Sequence, residues 1–291
     1  MKPVSSLFWR LSRPITLSGQ KAIVRIIFTA FIITLFNHNF CFAQTPIKKI
    51  KEFNAGEIKA ATVDRLGNFF LVLKKGRVQK YDANCKLVAS AKMQPDLLEP
   101  WFHPGIFSFS RSQKKIIRYG RHFENPVSTE LDASWAIEPY LVTVRADNHI
   151  WILDKADASL KHINPITGAT VSEFSIDTTQ FLTRPNFTHI REYQNMLFVL
   201  DQNSGILIFS IFGKQVEHIK KAGIRNFNFV GEELYYASGN TIQFFDLTTE
   251  TTREVKVEGS NQFALVTDER IILIDDKNRV RVWETPIAKI D

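Results

Sequence analysis

Asp64-Arg65-Leu66-Gly67-Asn68-Phe69-Phe70-Leu71-Val72-Leu73-Lys74-Lys75-Gly76-Arg77-Val78-Gln79-Lys80-Tyr81-Asp82 sets two short runs of β-branched, aliphatic and aromatic residues on either side of a Lys-Lys-Gly turn. Runs of this kind, bounded by Gly, Asn and Asp, read as antiparallel strands joined in a hairpin. The same shape recurs at 147–154, at 195–201 with 205–209, at 233–238 with 241–246, and at 270–275 with 279–283; a weaker copy lies at 105–111 with 115–119. The residues that close the second strand of each unit are Lys74, Arg111, Asp154, Asp201, Ser238 and Asp275, spaced 37, 43, 47, 37 and 37 apart. A period near forty with about four short strands per unit is the signature of a β-propeller. A parallel α/β fold would need helical stretches between the strands, and the chain has none that reads so.

Six units are visible, and the last nearly runs out of chain. Residues 47–53 precede the first full unit and read as a lone strand. Pairing that strand into the last blade would close the ring and cover a free sheet edge. The expected fold is therefore all-β: a six-bladed propeller of four-stranded antiparallel blades over residues 44–291, closed by the N-terminal strand and preceded by a signal peptide at 1–43.

The unit Asp64-Arg65-Leu66-Gly67-Asn68-Phe69-Phe70 through Lys80-Tyr81-Asp82 resembles an NHL-type repeat, with its Asp-x-x-Gly-Asn-aromatic turn, and 147–154 resembles the same element without the glycine. The resemblance spans roughly 57–284 and implies the six-bladed NHL or TolB-like propeller group, common among exported bacterial proteins. Its motif is structural and specifies blades, not chemistry.

The leader is read from composition. Residues 1–25 carry Lys2, Arg10, Arg13, Lys21 and Arg25 and no acid; an apolar run spans 26–36, and Cys41 and Ala43 supply small residues before a cut. That is the export pattern, and the apolar run is shorter than the roughly 20 residues a membrane span needs. An uncleaved anchor over 22–36, a mitochondrial transit peptide and a lipid-modified Cys41 are the competing readings. The expected location is periplasmic or extracellular, with no membrane span in the mature chain. The 37 basic and 30 acidic residues give a formal charge of +7; without the five leader cations 32 basic residues remain and the charge falls to +2. The basic character belongs mostly to the leader, so nucleic acid is not an expected partner. Cys85 would be the one cysteine left, which excludes an intramolecular disulfide.

Propellers bind ligands at the channel mouth, on loops joining one blade to the next. The candidate contact residues are Trp101 and His103 in a long loop at 94–104, Arg184 and Asn186 in another at 177–186, and Trp135, Glu138, Arg225, Asn226 and Asn261 in the remaining connections. Aromatic and arginine side chains serve as anchors at binding surfaces, although Trp101 and Trp135 also suit packing between blades. A channel metal held as in the gluconolactonase-like hydrolases would use Glu57, Glu138, Asn186, Asn226 and Asn261, with Ca2+ as the cofactor that oxygen ligands suit. No motif matches that family residue by residue, so no cofactor is expected otherwise. His103, His122, His149, His162 and His218 show no ligand spacing. His189 reads as a core residue, and Asp154, Asp201 and Asp275 read as turn caps. Phosphate loops, His-Glu-x-x-His and Gly-x-Ser-x-Gly are missing. The function expected is a non-catalytic binding or scaffold protein, monomeric, acting on a protein or cell-envelope partner; the alternative is a metal-dependent hydrolase or lactonase.

Overall fold

A computed structural model describes residues 48–101 and 105–285. The leader, Ile47 and His103 lie outside the described residues.

The chain is almost entirely short antiparallel strands. β1 (Lys49–Asn54) comes first, and β2 (Ile58–Val63), β3 (Phe69–Leu73), β4 (Arg77–Tyr81) and β5 (Leu87–Ala91) make the first four-stranded sheet. β6 (Leu97–Glu99), β7 (Ile106–Ser110), β8 (Lys115–Tyr119) and β9 (Val127–Glu130) make the second. The third holds β10 (Pro139–Val144), β11 (Ile150–Asp154), β12 (Ser159–Ile163) and β13 (Thr170–Ser175). The fourth holds β14 (Phe187–Tyr193), β15 (Met196–Asp201), β16 (Gly205–Ser210) and β17 (Gln215–Lys220). The remaining strands, β18 (Asn228–Val230), β19 (Glu233–Asp246), β20 (Thr252–Val266), β21 (Arg270–Asp275) and β22 (Arg279–Glu284), join β1 in one six-stranded sheet ordered β1-β22-β21-β20-β19-β18.

The propeller therefore has five blades, not the six that the repeat spacing predicts. The last two sequence units do not separate. Gly239 on β19 pairs with Asn261 on β20, and β20 carries the ladder on, with Thr252 to Lys256 against β19 and Asn261 to Val266 against β21. At the other junctions the ladder breaks, with Pro95 and Pro185 in two of them and Pro139 opening β10. Within Thr252–Val266 the pairing runs through the predicted boundary.

Burial follows position in the blade. The second strands are covered on both faces by neighbouring blades, so β3, β11 and β21 are apolar and buried almost throughout. The outer strands β9 and β13 are largely exposed and polar. The carboxylates that end second strands stitch blades to their incoming connections. Asp154 accepts from the Ile137 (2.7 Å), Glu138 (2.9 Å) and Ala156 (3.1 Å) amides and from Lys161 Nζ (2.8 Å). Asp201 accepts at 2.7 Å from the Asn186 amide, in the connection that enters its own blade. In the second blade the geometry is inverted: Arg111 occupies the marker position and its amide donates to Asp96 Oδ2 at 2.7 Å.

β1 pairs antiparallel with β22, from Lys49 opposite Trp283 to Asn54 opposite Arg279, and Phe53 packs 5.1 Å from the Tyr81 ring. N-terminal and C-terminal strands thus share one sheet. Deleting 47–53 should lower the melting temperature of the mature chain by about 10 °C, the shift expected for roughly 3 kcal/mol at this size. Thermal unfolding followed by circular dichroism measures it, and an unchanged melting temperature would show that β1 contributes nothing to closure.

Candidate functional site

The innermost strand of each blade lines the central axis. In a meander, the connections entering the first strand and leaving the second lie at one end of the ring, and those leaving the first strand lie at the other. The first end is the connection end, and the second is the turn end.

The axis is plugged by a buried ion pair with an amide and a hydroxyl around it. Arg191 on β14 and Glu99 on β6 have no solvent exposure. Arg191 donates Nε–H to Glu99 Oε2 at 2.6 Å, Nη1–H to Asn228 Oδ1 at 2.8 Å and Nη2–H to Thr62 Oγ1 at 3.2 Å. The second Glu99 oxygen accepts from the Trp101 amide at 3.0 Å. One guanidinium thereby joins β2, β6, β14 and β18. Sequence reasoning missed all four residues of this network. The available signal was Glu99, a carboxylate directly after Leu97-Leu98.

Trp101 covers this network at the turn end, its ring between Arg191 at 5.5 Å and Arg65 at 5.2 Å. The expected loop at 94–104 is interrupted by the inner strand β6, which carries Trp101 to the end opposite the other candidates. Trp135 is buried in the core between blades. Glu138 faces Lys155 at 3.6 Å, and Asn186 donates to Gln202 Oε1 at 3.1 Å. Asn226 donates to the Ala61 carbonyl, and Asn261 donates to the Glu258 (3.2 Å) and Gly259 (2.9 Å) carbonyls while accepting from Arg281 at 2.7 Å. Glu57 is exposed. Arg184 is exposed, and its carbonyl accepts from Asn203. These groups are spent on local partners and do not converge on one point.

At the connection end the channel opens into a cavity of about 300 Å³ whose lining includes Lys59, Arg111, Arg225, Asn226, Asp96 and His189. Arg111 lies 3.5 Å over the Tyr140 ring and donates Nε–H to the Tyr140 carbonyl. Asp96 is the one carboxylate in this lining, and its Oδ2 accepts the Arg111 amide. The arrangement offers cationic and amide groups to an incoming anion. Arg225 and Asn226 are the sequence-predicted candidates placed here.

A second polar cluster lies at the turn end of the third blade. His149 Nδ1 and His162 Nε2 are 3.0 Å apart, and Asp147 Oδ2 lies 3.8 Å from His149 Nδ1. Thirteen residues separate the histidines in the chain, but the hairpin β11–β12, which pairs Trp151 with His162, brings them together. The sequence expectation that no histidines share a ligand arrangement is corrected at this point.

Burial governs the histidine protonation. Burial first, and the Arg191 charge second, hold His189 well below its ordinary value. Burial, then Arg145 and His149, push His162 down to about 4, and burial also lowers His218. Unfolding frees each ring to bind a proton near pH 6.5. The unfolded chain then binds more protons than the folded one below that pH, and stability falls with acidification. The urea midpoint should therefore drop between about pH 6.5 and pH 5, before most carboxylates titrate. A midpoint flat across that window would contradict the buried neutral rings. In the axial network, Arg191→Met should cost about 3–5 kcal/mol in urea unfolding, because it strands the Glu99 carboxylate, and Glu99→Gln in the same chain should recover part of that loss.

No protein-family model matches the chain, and no curated protein matches its sequence. Solved structures do match its fold. The Pan2 WD40 domain of Neurospora crassa superposes with a TM-score of 0.56 at 10% identity, covering 82% of this chain and 95% of that one. The Cps50 (Swd1) β-propeller domain of Myceliophteria thermophila gives 0.53 at 11% identity, covering 82% and 100%. The extracellular domain of a hybrid two component system from B. thetaiotaomicron gives 0.50 at 10% identity, covering 77% of this chain and 33% of that one. At such identities the likeness establishes a β-propeller and nothing finer.

Proposed function

We propose that the chain is an exported, non-catalytic binding scaffold, and that its partner is a protein or cell-envelope component that presents an acidic group to the connection-end channel mouth. The lining of that mouth carries the reading: Lys59, Arg111 and Arg225 stand around it with the single carboxylate Asp96. Exposed Ile137 and Leu182, in the connections that enter the third and fourth blades, add apolar area at the same end. Mixed apolar and arginine surface of this kind suits protein recognition. The β-propeller fold shared with the solved WD40 and propeller domains is compatible with the scaffold reading.

The leader at 1–43 supports export, which N-terminal sequencing of the mature protein would check by a start at Gln44. No helix among the described residues is long and apolar enough to cross a membrane. The turn at Asp64 supports an NHL-type ancestry for the first blade: Asp64 Oδ1 accepts from the Leu66 and Asn68 amides, each at 2.9 Å, and Oδ2 accepts from the Asn68 side chain at 2.8 Å.

The test pairs binding with turnover. Crosslinking in the intact envelope should capture a defined partner, and a variant carrying Lys59→Glu and Arg225→Glu should bind that partner at least about tenfold more weakly, since reversing charge opposite an acidic group costs more than 1.4 kcal/mol. Lactone hydrolysis should stay at background with Ca2+ added. Calcium-dependent turnover, abolished by Asn226→Ala, would reverse the reading in favour of the hydrolase.

A further inference from the structure

We propose that Asp147, His149 and His162 form a binding site for a divalent transition-metal ion of the Zn2+ class, at the turn end of the third blade. The donor atoms of all three lie within 4.8 Å of one another. Zinc bonds of about 2.0–2.2 Å to imidazole nitrogen and carboxylate oxygen place tetrahedral ligands about 3.3 Å apart. The separations of 3.0 Å between the rings and 3.8 Å from His149 Nδ1 to Asp147 Oδ2 bracket that value. Small side-chain rotations bring the set onto an ion. Two imidazole nitrogens facing each other at 3.0 Å can share one proton, and a metal ion accepts both lone pairs together.

The surroundings fix the ligands. His162 stacks on the Trp151 indole, with centroids 4.8 Å apart and planes at 26°. Trp151 Nε1 donates to Glu192 Oε2 at 2.5 Å, which sets the indole and the ring on it. The His149 amide donates to Asp147 Oδ1 at 3.0 Å, which turns the other oxygen towards the histidines. Support of this kind behind the ligands sets orientation and affinity. Arg145 opposes the ion: its Nε lies 3.3 Å from both Asp147 oxygens. Glu192 holds the far end of the same guanidinium, with Arg145 Nη1 at 2.7 Å from Oε2, and offsets part of that repulsion.

Two imidazoles and one carboxylate select a borderline cation over the hard Ca2+ and Mg2+, which take oxygen ligands. Three protein ligands leave a coordination position free, and Asp147 is exposed, so water or an anionic group of a partner can reach the ion. None of Glu57, Glu138, Asn186, Asn226 or Asn261 takes part, so this site is separate from the channel-metal reading.

The test titrates chelator-treated mature protein with Co2+ alone, followed by visible absorption, and with Zn2+ alone, followed by calorimetry. One equivalent of each should bind, Zn2+ should displace Co2+, and excess Ca2+ should not compete. His149→Ala and Asp147→Asn should each weaken Zn2+ binding by about tenfold or more while far-ultraviolet circular dichroism stays unchanged. Asp147 is exposed and His149 half-buried, which keeps these variants folded where a change at the buried His162 would put folding at risk. No binding by the parent protein, or binding undiminished in both variants, would overturn the proposal.

Discussion

Four of the five blades meet at Arg191. Five outward-splayed sheets can only form a closed propeller if their innermost strands approach a common axis, and a charge placed there must be fully partnered. Arg191 satisfies that condition by drawing a carboxylate, an amide oxygen and a hydroxyl from three other blades: Glu99, Asn228 and Thr62. The geometry is directional, so it sets the mutual register of the inner strands more strictly than apolar packing could. It also fills the axis. A filled axis leaves the two mouths as separate surfaces, which is why the cationic lining at the connection end is better suited to recognition than to passage.

The fold was legible wherever burial acts on a whole strand. A second strand sandwiched between blades is apolar along its length, and 69–73, 150–153 and 271–274 announce themselves as such. Period and strand content together therefore reveal a propeller. The blade count was not legible, because the spacing of 37 residues between Asp201, Ser238 and Asp275 is the same whether a junction turns or pairs. What decides is local: Gly239 pairs with Asn261, and two units become one sheet.

The sites were less legible for a different reason. Glu99 and Arg191 are separated by 92 residues and matched only when the inner strands converge. His149 and His162 are joined by a hairpin register that periodicity alone does not supply. Trp101 was visible as an aromatic in a long connection, yet the three-residue strand Leu97–Glu99 moves it to the opposite end. Short polar strands lack the apolar signature that makes longer ones readable. The carboxylates at Asp154, Asp201 and Asp275 were readable, because their role is confined to the turn they close and the connection beside it.

The pairing of β1 with β22 has a kinetic meaning. Those two strands lie about 230 residues apart in the chain, so the ladder from Lys49 to Asn54 stays vacant on one edge until Arg279–Glu284 has been synthesised. Contacts of such long sequence separation form late and make folding slow. Four sheets can collapse on their own hairpins during synthesis, but the loop of chain between the two ends closes last. Ring closure is thus the concluding step of folding, set by the last strand to be made.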